Sequence, residues 1–174
     1  MPPVRRCALV LAAVLAALLA VPALASSTDS ANVIDAFGRQ IIAVDKKTTV
    51  PVLLPSKLPF VDKVPKLHPS GSGTRNAFTL EFAGAPNCGS ANACFLASFE
   101  GQRGGALPGR SNLRLAGGQE AFYKGITCGA SCSPATLWFL YRGVLYTWQH
   151  KDPPKNTKAV LARLAAQAIA AGPR

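Results

Sequence analysis

The sequence predicts an α+β domain of two layers, in which an antiparallel meander sheet of about five strands is covered by an N-terminal and a C-terminal helix. Two observations predict this fold class. Apolar residues recur at helical spacing near both ends of the chain, and between residues 77 and 150 they alternate with polar ones. A sheet with one apolar face and two helices with apolar stripes bury these surfaces against each other.

The first 25 residues have the pattern of a cleaved secretory signal peptide. Arg5 and Arg6 precede a long uncharged run of Leu, Ala and Val that ends in small residues. Cleavage is expected before Ser26, which leaves residues 26–174 as a single α+β domain. A retained membrane anchor is the alternative, since the apolar run is close to the length of a span. The mature chain is therefore expected to be exported, to the periplasm or the extracellular space.

The expected mature chain is strongly basic. Without Arg5 and Arg6 it has 17 Lys and Arg residues against 8 acids, a net charge near +9. Such a charge favours anionic partners, so we expect an anionic envelope component, a lipid or another envelope protein. Nucleic acid is not expected, because export removes the chain from it and no basic block or aromatic RNA-binding motif is present. A merely solvated basic surface is the alternative.

Both predicted helices carry one apolar stripe. The first, over residues 30–44, is capped by Asp29 or Ser30 and weakened in its middle by Gly38. The second follows a cap at Asn156 or Thr157. The stripes comprise Val33, Ile34, Phe37, Ile41 and Val44 in the first helix, and Val160, Leu161, Leu164, Ala165, Ala168 and Ile169 in the second.

Prolines at positions 51, 55, 59, 65 and 69 exclude a helix or a central strand from the segment after the first helix. We expect an extended arm there, partly paired as an edge strand. The stretch SGSGT, residues 70–74, then predicts a flexible turn.

Strands follow from the period of two. Residues 77–83 and 94–100 each predict a strand, and residues 120–127 predict a third. Residues 135–151 predict a hairpin, and the loop over 101–118 holds a short extra strand at Leu113 and Leu115. A two-residue turn at Arg142 and Gly143 pairs Tyr141 with Val144 and Leu137 with Trp148.

Four cysteines remain once Cys7 leaves with the signal peptide: Cys88, Cys94, Cys128 and Cys132. An even number in an exported chain favours disulfides. The spacings of five and three intervening residues fit neither a zinc knuckle nor a thioredoxin-like pair. Bonds within each pair of neighbours, 88–94 and 128–132, are favoured over bonds between the two loops.

Catalytic chemistry has little support in the sequence. His68 and His150 are expected at a surface or a strand edge, away from any nucleophile motif. Glu81 and Glu100 are expected to face each other across the first hairpin, and a carboxylate pair is what glycoside hydrolysis uses, but side chains on the polar side of strands are typically solvated. We expect no metal and no cofactor.

One sheet face is predicted to be more apolar than an open sheet normally shows to water. The candidate binding residues on it are Tyr123, Trp138, Leu140 and Leu145, with Leu96 beside them. Either the proline-rich arm or the first helix covers this face, or a ligand binds there.

The segments PVLLPSKLP, LWFLYRGVLYTW and VLARLAAQAIAAG resemble a class of bacterial exported α+β envelope domains of unknown function. This class has a Leu-Pro arm, a Trp-Gly-Tyr hairpin and a C-terminal Leu/Ala helix. The resemblance spans residues 50–172. It implies export and an α+β fold, but no catalytic residue, and its pattern does not require the cysteines.

The leading hypothesis is a non-enzymatic envelope binding or interaction domain stabilised by disulfides. The alternative is a carrier that holds an apolar or amphiphilic envelope ligand between the sheet and its covering elements. A carrier predicts an elongated dry cavity, whereas an interaction domain predicts a filled core. An enzyme requires His68 or His150 to meet an acid in a cleft.

Overall fold

The structure is a computed structural model that describes residues 29–88, 93–151 and 155–174. The expected signal peptide, residues 1–25, lies outside the described residues. The elements are the helices α1 (Val33–Asp45) and α2 (Thr157–Ala171) and the strands β1 (Ser30–Asn32), β2 (Lys57–Pro59), β3 (His68–Thr74), β4 (Ala77–Ala83), β5 (Phe95–Arg103), β6 (Leu113–Arg114), β7 (Glu120–Lys124), β8 (Thr127–Cys128), β9 (Cys132–Ser133), β10 (Ala135–Tyr141) and β11 (Val144–His150).

Seven strands form one antiparallel sheet in the order β3-β4-β5-β11-β10-β7-β6. The mixed α+β class, the large antiparallel sheet and the two helices are therefore confirmed. The predicted meander of about five strands is matched in part, since the sheet has seven strands and its path includes one crossover. After β5 the chain crosses to the opposite edge of the sheet, and β11 returns to pair with β5. This path places β11, which buries Val144, Tyr146 and Trp148, at the centre of the sheet.

The expected turn at residues 70–74 is instead the greater part of β3, an edge strand. Its glycines allow α1 to lie close against it. A Cβ at Gly71 would be 2.8 Å from Cδ2 of Leu80 and 3.3 Å from Cγ2 of Val44. The glycines therefore serve helix packing rather than flexibility.

Helix α1 begins later than the sequence predicts, because residues 30–32 pair with β2. Asn32, rather than Asp29 or Ser30, is the cap, and its Oδ1 accepts from the backbone N–H of Asp35 at 3.3 Å. Gly38 has non-helical angles, as a weakened middle predicts. The helix packs on the sheet through Phe37 and its buried neighbours Val33, Ile41 and Val44.

The proline-rich arm is part of the core. The Tyr146 hydroxyl donates to the Pro51 carbonyl at 2.9 Å, and Nε2 of His150 lies 2.7 Å from the carbonyl oxygen of Pro59. The expectation of a surface or edge position for His150 is wrong, since the side chain is fully buried. The buried apolar residues of the arm are Val50, Val52, Leu53, Leu54, Leu58 and Phe60.

The hairpin of β10 and β11 has the predicted register, with Tyr141 opposite Val144 and Leu137 opposite Trp148. Arg142 and Gly143 both have positive φ, at 50° and 74°, as a two-residue turn of type I′ requires. Helix α2 lies over β10 and ends at Gly172, whose φ is 82°. Both helices and the arm thus cover one face of the sheet.

Candidate functional site

A row of side chains crosses five strands on the face opposite the helices. Side chains that are paired across an antiparallel sheet project to the same side. The register pairs Phe122 with Trp138 and Trp138 with Thr147. It then pairs Thr147 with Glu100 and Glu100 with Thr79. We call the side of the sheet that carries these five residues the open face, because neither described helix packs on it.

Residues 104–112, which we call the crossover loop, connect β5 to β6 across part of the open face. A Cβ at Gly105 would lie 2.7 Å from Cβ of Leu145, and one at Gly109 would lie 3.4 Å from Cε2 of Phe122. The absence of side chains lets the loop lie close to the strands. Of the two alternatives for this face, cover by the arm or the first helix is not seen at the row of side chains that crosses the five strands, because both elements bury their larger apolar surfaces on the other side.

Three of the four predicted binding residues lie on the open face. Trp138 is there by its pairing, and Leu140 and Leu145 are paired with each other. Tyr123 is not, because it pairs with Leu137 and packs against the core side. Burial raises the pKa of Tyr123, while a hydrogen bond with Thr157 opposes this rise. Its hydroxyl thus contacts α2, and the placement of Tyr123 on the binding face is corrected.

Phe122 takes the place expected for Tyr123. Its ring centroid lies 5.7 Å from that of Trp138, and the planes are tilted by 46°. Both rings are partly exposed. The two aromatic side chains therefore form a platform beside the crossover loop, which we call the aromatic pair. Leu96 lies apart from it, in a cleft of about 360 Å³ with Phe60 and Val61.

A second row on the open face forms a hydrogen-bonded chain. The Ser98 hydroxyl donates to Oε1 of Gln149 at 3.2 Å, and Nε2 of Gln149 donates to the Thr136 hydroxyl oxygen at 3.3 Å. The Thr136 hydroxyl donates to the Pro134 carbonyl at 3.1 Å. Ser98 and Thr136 are buried. These contacts hold the Gln149 side chain in one position, so the polar floor of the face is ordered in advance.

Glu81 and Glu100 lie on neighbouring strands of the open face, but they are not opposite each other as expected, because Glu81 pairs with Ser98 and Glu100 with Thr79. Burial raises the pKa of Glu100; a hydrogen bond with Ser98 opposes the rise and the nearby Glu81 adds to it. Burial also raises the pKa of Glu81. Carboxyl groups accept hydrogen bonds from hydroxyl groups, and ionised carboxylates repel anions, so this pair suits hydroxyl groups better than anions.

His68 does meet an acid in a cleft. A cleft of about 780 Å³ at the β3 edge is lined by His68, Ser70 and Glu81, with Arg39 at its side. However, no hydrogen bond joins any two of the first three residues within the described part of the chain. Nothing therefore orients the imidazole or activates the Ser70 hydroxyl in this arrangement, and the contacts that nucleophilic catalysis uses are not assembled.

The cysteines form the two local disulfides that the sequence favours. Cys88 is bonded to Cys94 and Cys128 to Cys132, with Cα separations of 5.9 Å and 4.0 Å. Both bonds fit an oxidising compartment. Among the described residues no three His, Cys, Asp or Glu side chains are grouped so that they could hold a metal ion.

Neither helix of the described chain has the length and apolar character needed to cross a membrane. No protein-family model matches the chain, and neither a curated protein nor a solved structure shows significant similarity to it. The resemblance to bacterial envelope domains therefore stays a prediction. The function has to be argued from the geometry of the open face.

Proposed function

We propose that the protein is an exported, non-enzymatic binding domain of the cell envelope that holds a glycan polymer on its open face. The observation that carries this proposal is the aromatic pair, Phe122 and Trp138, partly exposed beside a row of hydrogen-bonding side chains. The face lies opposite both described helices and the arm. The crossover loop covers part of it, but Phe122 and Trp138 stay partly exposed beside the loop, so a ligand can reach them without any change in the fold.

The chemistry of the face suits sugar rings. A sugar ring presents C–H groups on its flat sides, which pack on the face of an aromatic ring, and hydroxyl groups at its rim. Thr147, Glu100 and Thr79 continue the row from Trp138 and offer hydroxyl and carboxyl partners to those hydroxyls. The row spans five strands, which is about 19 Å at the usual strand spacing of about 4.8 Å. This length accommodates several sugar units of an extended polymer.

A surface site is also favoured over the carrier hypothesis. The space between the sheet and its covering elements is filled by large side chains that are fully buried, among them Phe37, Phe82, Phe99 and Trp148. Phe37 stacks on Phe82 at 3.9 Å, and the ring of Phe99 meets both Phe82 and Trp148 edge to face. Such packing leaves the open face as the place for a ligand.

The location of the ligand follows from the chain's predicted export. Residues 1–25 direct it across a membrane, and the two disulfides suit the periplasm or the extracellular space. Envelope polysaccharides are abundant in both places. The disulfides close the loops that precede β5 and β10, two strands of the open face, and so support the site from one end of the sheet.

The test is a Trp138→Ala variant of the exported chain, with polysaccharide extracted from the host's own envelope immobilised on a biosensor. Loss of an aromatic anchor from a binding surface costs about 2 kcal/mol, so we expect affinity to fall about 30-fold. Ile42→Ala is the matched control. It removes an apolar side chain that is 59% exposed on α1, on the other side of the molecule, and should leave binding unchanged.

Thermal unfolding separates a binding role from a folding role. Trp138 is only partly buried, so the alanine variant should keep a cooperative transition, and Trp138→Phe should bind within a few-fold of wild type. The proposal is wrong if a folded Trp138→Ala variant binds as well as wild type, or if the wild-type chain does not bind the polysaccharide. If Trp138→Ala is unfolded, loss of binding in the folded Ile42→Ala control would likewise show that the site lies elsewhere.

A further inference from the structure

A cleft of about 640 Å³ adjoins the aromatic pair at the β6 edge of the sheet. It lies between the crossover loop and β6, and the lining residues that matter here are Gly109, Arg110, Ser111, Asn112, Arg114 and Glu120. Gly109, one of these lining residues, is also the residue that lies against Phe122. The cleft and the aromatic pair therefore form one continuous surface.

The base of the cleft is held in place by two side chains, those of Asn112 and Ser111, which form hydrogen bonds to backbone groups of the neighbouring strands. Asn112 donates through Nδ2 to the Tyr123 carbonyl at 2.9 Å and accepts the Tyr123 backbone N–H at 2.8 Å. The Ser111 hydroxyl lies 3.0 Å from the carbonyl oxygens of Leu113 and Ala121. These polar groups are used in holding the loop to β7. Ligand recognition is thereby left to the charged side chains around them.

Those charges are mainly positive. Arg110 and Arg114 line the cleft, and the Lys158 ammonium group donates to the Asn112 carbonyl at 3.1 Å beside it. The opposing carboxylate is Glu120, which lies 3.8 Å from Arg114. Their side chains are 61% and 70% exposed, so this ion pair is weak and Arg114 remains available to another anion. Arg110 makes no hydrogen bond or ion pair within the described chain.

Lys124 extends the positive charge along the open face. It pairs with Thr136 and so projects to the same side as Phe122, two residues before it on β7. Glu81 and Glu100 lie on β4 and β5, beyond the centre of the sheet. The open face is thus polarised, with cations at its β6 edge and carboxyl groups toward its β3 edge.

We propose that the cleft with Arg110 and Arg114 binds anionic groups carried by the envelope glycan, which makes the ligand an acidic polysaccharide. The inference rests on the proposed function of the open face and adds the chemical class of its ligand. Guanidinium groups bind carboxylates and phosphates through paired N–H donors. The acidic substituents lie at the β6 edge, and neutral hydroxyl groups of the same polymer lie over Trp138, Thr147 and Glu100. This orientation keeps the anions away from the carboxyl pair.

Three soluble polymers of similar length test the inference by calorimetry on the exported chain. Oligogalacturonate carries carboxylates, a phosphorylated galactan oligomer carries phosphates, and a neutral galactan oligomer carries neither. We expect at least one of the anionic polymers to bind at least tenfold more tightly than the neutral one, and its identity distinguishes a carboxylate from a phosphate as the anion. Added salt should reduce that preference, because exposed charges are screened.

The variant Arg110→Gln/Arg114→Gln should lose about tenfold in affinity for the preferred anionic polymer and keep its affinity for the neutral one. Arg39→Gln/Arg75→Gln is the matched control, since it removes the same charge from α1 and from the β3–β4 turn. Equal loss in both double variants would overturn the inference and indicate a general effect of net charge. Equal affinity of the wild-type chain for charged and neutral polymers would also overturn the inference. Vesicles of phosphatidylglycerol that bind through Arg110 and Arg114, when no polymer does, would also overturn it.

The failure of this inference is distinguishable from the failure of the proposed function. If the neutral oligomer binds and Trp138→Ala abolishes that binding while the arginine variant does not alter it, the open face binds glycan but the cleft has no anion site. If none of the three polymers and no host polysaccharide binds, both proposals are wrong.

Discussion

Gly101 lies at the centre of the sheet between two aromatic rings, and alanine there should be strongly destabilising. The residue pairs with Phe78 on one side and with Tyr146 on the other. Both aromatic side chains are buried on the core side, with ring centroids 6.5 Å apart. A Cβ at Gly101 would lie 2.4 Å from Cε1 of Phe78 and 3.0 Å from Cγ1 of Val50. The rings occupy the space that a side chain would need.

The magnitude follows from these distances. Carbon atoms pack at about 3.5–4.0 Å, so the Phe78 ring has to move by roughly 1 Å in a close-packed core. Overpacking of this kind costs about 1–3 kcal/mol, and the loss of glycine's freedom in the unfolded chain returns about 0.4–1 kcal/mol. We expect Gly101→Ala to lower the free energy of unfolding by about 1–2 kcal/mol, the difference between these two terms. In a domain of this size the melting temperature falls by about 2–8 °C.

The assay is urea denaturation, with Gly84→Ala as the matched control. A Cβ at Gly84 would have its nearest neighbour at 3.6 Å, an ordinary contact, so that variant should change stability by no more than about 1 kcal/mol. Phe78→Leu should relieve the clash, so that Gly101→Ala costs at least about 1 kcal/mol less in that background. Wild-type stability of Gly101→Ala, or strict additivity with Phe78→Leu, would refute the packing described for the sheet centre.

Two further predictions concern pH. Burial raises the pKa of Tyr146 from 10.0 to about 12, so its contribution to stability is complete below pH 10 and is lost as the pH rises toward about 12. Tyr146→Phe should remove the part of the stability loss at alkaline pH that comes from Tyr146, and it should lower the free energy of unfolding by about 1–2 kcal/mol at neutral pH, because the Pro51 carbonyl loses its donor. Denaturation of wild type and variant at pH 8 and pH 11 checks this. An equal loss of stability between these two pH values in both proteins would contradict it. The raised pKa of Glu100 means that its ionisation opposes folding, so stability falls as the pH rises from 4.5 through the folded-state pKa. Glu100→Gln should therefore gain stability relative to wild type between pH 4 and pH 7 in thermal melts, and a relative loss over that interval would show that the carboxylate is stabilised by its surroundings.

Local sequence patterns were sufficient for much of the fold. The register of the β10–β11 hairpin follows from a two-residue turn at Arg142 and Gly143 and from the alternation on either side of it. The same alternation extends to His150. Because alternate residues of a strand lie on the same side, His150 shares the buried side with Trp148, and its burial could have been predicted. The local disulfides follow from the short spacing within each cysteine pair.

The remaining features depend on contacts between distant segments. Residues 125–134 form a disulfide-bonded excursion between β7 and β10, so counting along the chain does not show whether Phe122 or Tyr123 shares a side with Trp138. Which of these two residues lies on the side of Trp138 decides which aromatic side chain belongs to the candidate site. The crossover of residues 104–112 and the burial of the proline-rich arm likewise depend on which apolar surfaces meet, and no local period encodes this.

The two tryptophans provide the most direct test of the binding face. Trp138 lies on the open face, whereas Trp148 is fully buried on the core side of the adjacent strand. Each indole N–H gives one signal in a ¹H–¹⁵N NMR spectrum, and Trp138→Phe assigns them, since the chain has two tryptophans. On addition of the host's envelope polysaccharide, the Trp138 signal should shift or broaden while the Trp148 signal stays in place. Binding that leaves the Trp138 signal unchanged, or that perturbs α1 around Ile42 instead, would contradict the assignment of the open face as the glycan site.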